Sequence, residues 1–232
     1  MKKKIEYAMG IILLLMVFLL CATVNMSAKE KNVNKRVCVA IDAGHGGSDP
    51  GKVSAKGILE KDINLAISKK IKSRMEKKYK DIEIIMTRTD DNDLHSKYAD
   101  NHKQSDMYNR MKLVNEAEAD ILVSIHQNSF YSARERGAQV FYYNNSEEGE
   151  KLADAIQKNL KENVSEYNTR EKKANTDYYI LRNSKCPAVI IECGFLSNAD
   201  EAWLLTTEDY QEKVADAVIE GIMCYIGREK SN

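Results

Sequence analysis

Three apolar runs in this sequence lead into a side chain that can do acid–base or metal chemistry. Val37–Ile41 runs into Asp42-Ala43-Gly44-His45-Gly46-Gly47, Ile121–Ile125 into His126, and Val189–Ile191 into Glu192. A fourth candidate, Glu60, opens an amphipathic stretch beginning near Leu59. A carboxylate in the first turn of a helix is favoured by the macrodipole and can project over a sheet edge. Two imidazoles and one carboxylate match a catalytic zinc site that keeps a position for water. Zinc lowers the pKa of such a water towards ~7. A further carboxylate would take the water's proton and pass it to a leaving amine. The set therefore holds the parts for metal-assisted amide hydrolysis.

Each residue alone has a plainer reading. Gly44, Gly46 and Gly47 fit a turn, or a phosphate loop that lacks the following GK[ST]. His126 fits a satisfied core histidine, Glu192 a buried structural carboxylate and Glu60 a helix-start carboxylate. No HExxH helix fixes a geometry. Taken together, the candidates favour a shared site, because sites in open α/β sheets form at the carboxyl ends of strands. His95 and His102 lie in a polar stretch and read as solvated.

The elements that must position these groups follow from periodicity. Val37–Ile41, Ile82–Met86, Ile121–Ile125, Val140–Tyr143 and Ala188–Ile191 are short, apolar and rich in β-branched residues, as buried strands are. Between them, apolar residues recur at helical spacing: Ile63, Ile67, Ile71, Met75 and Tyr79; Met107, Met111 and Val114; Leu152, Ile156, Leu160 and Val164; Val214, Val218, Ile222 and Ile226. The alternation predicts an α/β fold. Its twisted, mainly parallel sheet has about five to six strands, flanked by helices on both faces. Thr89–Ser105 has no apolar period and is predicted to be a long surface loop.

Composition bounds the class. The chain has 232 residues, 43% hydrophobic and 30% charged, with 35 basic and 35 acidic side chains. That balance excludes a disordered chain and argues against a nucleic-acid binder. Lys2, Lys3 and Lys4 precede an uncharged run from Tyr7 to Ala28. A basic start before an apolar run predicts a secretory signal peptide or an N-terminal membrane anchor over residues 1–30. Residues 31–232 then form one catalytic domain working outside the cytoplasm. Four Lys against two Glu in residues 1–30 leave that domain near −2. Cys38, Cys186, Cys193 and Cys224 are expected as buried thiols rather than disulfides, and no CxxC spacing suggests a zinc ribbon.

Four ordered segments carry a family likeness. Val39–Gly47, Glu60-Lys61-Asp62, Ser124–Asn128 and Glu192–Asn198 resemble the zinc-dependent N-acetylmuramoyl-L-alanine amidases, as do Met86-Thr87-Arg88 and Arg110–Asn115. The likeness spans about Arg36 to Gly227. It implies that His45, Glu60 and His126 ligate one zinc and that Glu192 is the catalytic carboxylate. The substrate it implies is peptidoglycan, cut at the amide between the muramic acid lactyl group and L-alanine. Substrate-binding residues are not identified. Within the family, Ile125–Phe130 and Gly137–Tyr143 look most like the germination-specific spore-cortex amidases. Those enzymes prepare muramic acid for conversion to muramic-δ-lactam, which places the protein at the forespore cortex. The rival readings are a general wall-remodelling amidase and a zinc peptidase cutting within the stem peptide. Neither the wall-binding repeats nor the inhibitory helix of other members is read here. Control is therefore expected from membrane attachment through residues 5–24 or from an extracytoplasmic protein activator.

Overall fold

A computed structural model describes residues 36–165 and 167–228, together with Met16. Six strands form one sheet: β1 (Val37–Ala43), β2 (Ile82–Met86), β3 (Ile121–Asn128), β4 (Gln139–Tyr143), β5 (Lys173–Asn175) and β6 (Ala188–Phe195). Their order is β2-β1-β3-β6-β4-β5. β2, β1, β3 and β6 pair in parallel, β4 runs antiparallel to β6, and β5 is parallel to β4. The helices are α1 (Glu60–Lys78), α2 (His102–Glu116), α3 (Glu147–Asn163), α4 (Tyr179–Asn183), α5 (Ala199–Leu204) and α6 (Glu208–Tyr225).

The pleat divides the sheet into two faces. Val39 and Ile41 of β1, Ile121, Val123 and Ile125 of β3, and Val189 and Ile191 of β6 pack with α1, α3 and α6 in the larger core. Ala40, Leu122 and Ile190 turn the other way, against Met111 and Val114 of α2 and Ile180 and Leu181 of α4. The parallel β1–β3–β6 centre is thus buried on both sides, as its continuous apolar runs require. Asn101 caps α2 by accepting from the Gln104 amide, and Ser146 caps α3 through the Gly149 amide. α1 has no side-chain cap; Glu60 and Asp62 in its first turn and Lys77 and Lys78 in its last complement its dipole instead.

Several expectations need correction. β3 and β6 do not stop at Ile125 and Ile191; they continue to Asn128 and Phe195, so His126 and Glu192 stand inside strands. Polar side chains do not end a strand when only one face carries them and the ladder continues beneath. The polar stretch ends earlier than Ser105, since α2 begins at His102 under the Asn101 cap. β5, Lys-Ala-Asn, is too short and polar to show a strand pattern, and α4 and α5 are too short to show a period. Cys38 and Cys193 are buried and Cys186 is half-buried, but Cys224 is exposed on α6. The signal or anchor over residues 1–30 falls outside the described residues, apart from Met16. Among the described residues no helix is long and apolar enough to cross a membrane.

Candidate metal centre and active site

The site begins where β1 ends. Asp42 is the last charged residue of the strand; after Ala43 the chain turns through Gly44 into His45, whose φ of 60° lies in the left-handed region. Side-chain-bearing residues rarely adopt it, and such outliers cluster at functional sites. The His126 ring packs directly against Gly44: a Cβ there would lie 2.3 Å from its Cε1 and Nε2. The carbonyls of this turn are gripped by two guanidiniums. Arg88 donates to the carbonyls of Ala43 (2.8 Å) and Gly44 (3.1 Å), and Arg110 to those of Ala43 (2.7 Å) and His45 (2.7 Å). Asn64 of α1 donates to the Gly44 carbonyl at 3.0 Å.

Three of the four sequence candidates converge as a donor set. His45 Nε2 lies 3.3 Å and His126 Nδ1 3.0 Å from the same Glu60 oxygen, Oε1. The three ligand atoms fall within 4.8 Å of one another, a spacing that could hold a metal ion. Asp49 Oδ2 sits 2.8 Å from His45 Nδ1, which leaves Nε2 turned toward Glu60 and is the usual outer support of a ligating imidazole. The Gln127 amide donates to Glu60 Oε1 (3.0 Å) and the Lys52 amide to Oε2 (2.7 Å). Burial opposes ionisation of Glu60, yet hydrogen bonds from His126 and His45 and their charge outweigh it, holding the carboxyl well below its usual range. Burial lowers the His126 pKa, but the hydrogen bond and charge of Glu60, with the charges of Glu192 and Asp42, outweigh that and raise it.

Glu192 completes the group. It stands opposite His126 in the β3–β6 register and is buried. Its Oε2 has no hydrogen-bond partner. Burial, reinforced by the nearby Glu60 charge, pushes its carboxyl up to about 7. Two neighbouring carboxylates are thus driven apart, one held ionised and one able to gain or lose a proton near neutrality, the pattern of a division of labour in acid–base sites. They open into a cleft of about 450 Å³ lined also by Lys52, Lys103, Met107, Tyr178 and Ile190. His95 and His102 stay outside this group. His95 is half-buried rather than solvated, stacked on His102 at 4.0 Å between ring centroids and bonded to Asp93.

A buried network beneath the site escaped the sequence reading. Asp42 Oδ1 accepts from Arg110 Nη1 (2.9 Å) and Thr87 Oγ1 (2.6 Å), and Oδ2 from Ser124 Oγ (2.5 Å). Arg110 also donates through Nε to Asp106 (2.7 Å). The available signal was parity: Ala40 and Asp42, like Ser124 and His126, share one strand face. Burial raises the Asp42 carboxyl, but Arg110, Ser124 and Thr87 together bring it down from 3.8 to about 2. A carboxyl depressed in the folded state stabilises the fold above its unfolded value and loses that contribution as pH falls through about 2. Asp42→Asn is therefore expected to cost about 3 kcal/mol near pH 7, by leaving Arg110 short of a buried counter-charge. Denaturant titrations should show the gap from wild type narrowing as pH approaches 2. A constant gap would contradict the pairing.

Comparison with known proteins sets this geometry in context. A family described as N-acetylmuramoyl-L-alanine amidase matches residues 39–224. The chain is 37% identical to the germination-specific N-acetylmuramoyl-L-alanine amidase of Bacillus subtilis, over 97% of this chain and 96% of that one. It is similar to the CwlD amidase of Clostridioides difficile, solved in complex with the GerS lipoprotein: 39% identity, TM-score 0.79, 82% of this chain and 98% of that one. It is also similar to the catalytic domain of the amidase CwlV from Bacillus (Paenibacillus) polymyxa, with 30% identity, a TM-score of 0.71, and 83% and 99% of the two chains covered.

Proposed function

This chain belongs to the N-acetylmuramoyl-L-alanine amidase family and is an amidase of peptidoglycan, and from that premise we propose that it works with one zinc ion in the spore cortex. In this reading His45, Glu60 and His126 hold the zinc, and Glu192 moves the proton. The observation that carries it is the meeting of two imidazoles and an ionised carboxylate beside a buried carboxylate with an unpartnered oxygen. The donor set suits zinc: two imidazole nitrogens and one carboxylate oxygen, with a side left open to the cleft. When bound, zinc supplies Lewis acidity, polarising a carbonyl and acidifying water. The catalytic domain is assigned to residues 31–232, behind a signal or anchor over residues 1–30.

The chain's own residues do the rest. The cleft receives the lactyl–L-alanine amide above β3 and β6. Glu192 takes a proton from the attacking water and returns it to the alanine nitrogen as the C–N bond breaks. The products are a muramic acid with a free lactyl carboxylate and a peptide with a free L-alanine amine. Burial suits Glu192 to this exchange, because its carboxyl near 7 can both accept and release a proton. Glu60 could not do so: both its oxygens are engaged and its carboxyl is held ionised.

The packing of His126 on Gly44 gives one further expectation. Gly44→Ala must displace the ring, so zinc affinity should fall about 10- to 100-fold, the usual loss when a ligand's support is disturbed. Circular dichroism should stay near wild type. Undiminished affinity, measured by competition with a chromophoric chelator, would contradict the placement of His126.

The cortex role is supported by the similarity to the germination-specific amidase over nearly the whole chain. The CwlD–GerS complex favours an extracytoplasmic protein partner as the form of control. Muropeptides from spores lacking the protein test the role. Cortex without muramic-δ-lactam, restored by the active gene and not by a Glu192→Gln copy, is expected. Unchanged lactam content would assign the enzyme to general wall remodelling.

A further inference from the structure

The cleft is bordered by a tyrosine that the reaction as described leaves idle. Tyr178 lines it together with His126, Glu60 and Glu192. Its ring and its main chain are each held by one contact. It meets Phe141 edge-on, with centroids 5.5 Å apart and an interplanar angle of 88°. Its backbone amide donates to Asn175 Oδ1 at 2.8 Å. The side chain is half-buried, yet no hydrogen bond engages its hydroxyl among the described residues. Of the cationic donors bordering the cleft, Arg110 already donates to Asp42, Ala43, His45 and Asp106, and Lys103 faces Asp49 at 3.8 Å. Lys52 stands exposed at the rim.

Amide hydrolysis creates a demand that matches this surplus. As the water oxygen bonds to the carbonyl carbon, the carbonyl π pair moves onto its oxygen. That oxygen then carries a full negative charge until the C–N bond breaks. A fixed donor in the cleft stabilises such charge without reorganising. We infer that Tyr178 is a further catalytic residue, donating its hydroxyl hydrogen bond to the oxygen of the tetrahedral lactyl carbon. The phenol stays protonated throughout and leaves proton transfer to Glu192. Burial and the nearby carboxylates of Glu192 and Glu60 raise its pKa, which keeps it a donor at working pH. A hydrogen bond that strengthens only as charge develops speeds the chemical step without tightening substrate binding.

The inference rests on the amidase reading of the same site, and Tyr178→Phe separates the two. Phenylalanine keeps the ring on Phe141 and removes only the hydroxyl. The full chain and its variant are to be compared on purified peptidoglycan for kcat, KM, zinc content and melting temperature. Calorimetry adds their affinity for a phosphinate mimic of the tetrahedral lactyl carbon and for the product peptide. The expected result is a kcat lower by about 10²-fold, with KM, zinc content and melting temperature unchanged. Phosphinate affinity should fall by a similar factor while product affinity holds. A kcat within threefold of wild type would overturn the assignment, and so would a loss that tracks zinc content or melting temperature. Wild-type enzyme that releases no L-alanine amine would instead overturn the amidase reading, and the role of Tyr178 with it.

Discussion

Replacing Glu192 with Gln is expected to lower kcat on peptidoglycan by about 10²- to 10⁴-fold, the usual contribution of a positioned acid–base group, while one zinc per chain remains bound. Gln keeps the shape of the side chain but cannot take up and return the proton. The two carboxylates of the site differ in environment. Glu60 accepts from His126 and from the amides of Gln127 and Lys52, and is held ionised. Glu192 is buried with an oxygen to spare, and its carboxyl is raised. Steady-state kinetics with metal analysis on one preparation separate the roles. Zinc lost together with activity would make Glu192 a ligand and contradict its role as the base.

The second large effect is expected on the metal itself. His45→Ala and His126→Ala each remove a donor nitrogen, and each variant should lose well over about 100-fold in zinc affinity, with activity following occupancy. Asp49→Ala should fall between these variants and wild type, at about 10- to 100-fold, because it frees the His45 ring without removing a ligand. The grading matters more than any single value. Metal ligation by three residues gives a steep loss at each imidazole and a shallower one at Asp49. Equal small losses at all three positions would mean that zinc, if bound, sits elsewhere.

The candidate group was legible in the sequence because His45, His126 and Glu192 follow or interrupt the apolar runs of the sheet's central strands, and Glu60 opens α1. His45, Glu60, His126 and Glu192 are brought together as that pattern implied. The strand boundaries are less legible for the same reason: in sequence, a polar residue reads as the end of a run. In the structure, His126 and Glu192 face each other across a continuing ladder, while Ile125 and Ile191 fill the opposite face. The Asp42–Arg110 pair was harder to see, because it joins a strand to a helix 68 residues later, and no local period reports such a contact. Asp49 and Tyr178 were invisible for a similar reason. Both lie outside periodic segments, and only the folded cleft gives them a role.

Mass spectrometry of the products tests the zinc-amidase account most directly. Purified peptidoglycan is digested with chelator-stripped enzyme, then with the same enzyme after one equivalent of zinc. The stripped enzyme should release nothing. The reloaded enzyme should yield muramic acid with a free lactyl carboxylate and intact stem peptides that begin with L-alanine. Cleavage within the stem peptide, with L-alanine still joined to the lactyl group, would contradict the assigned bond. Full activity in the stripped enzyme would contradict the metal.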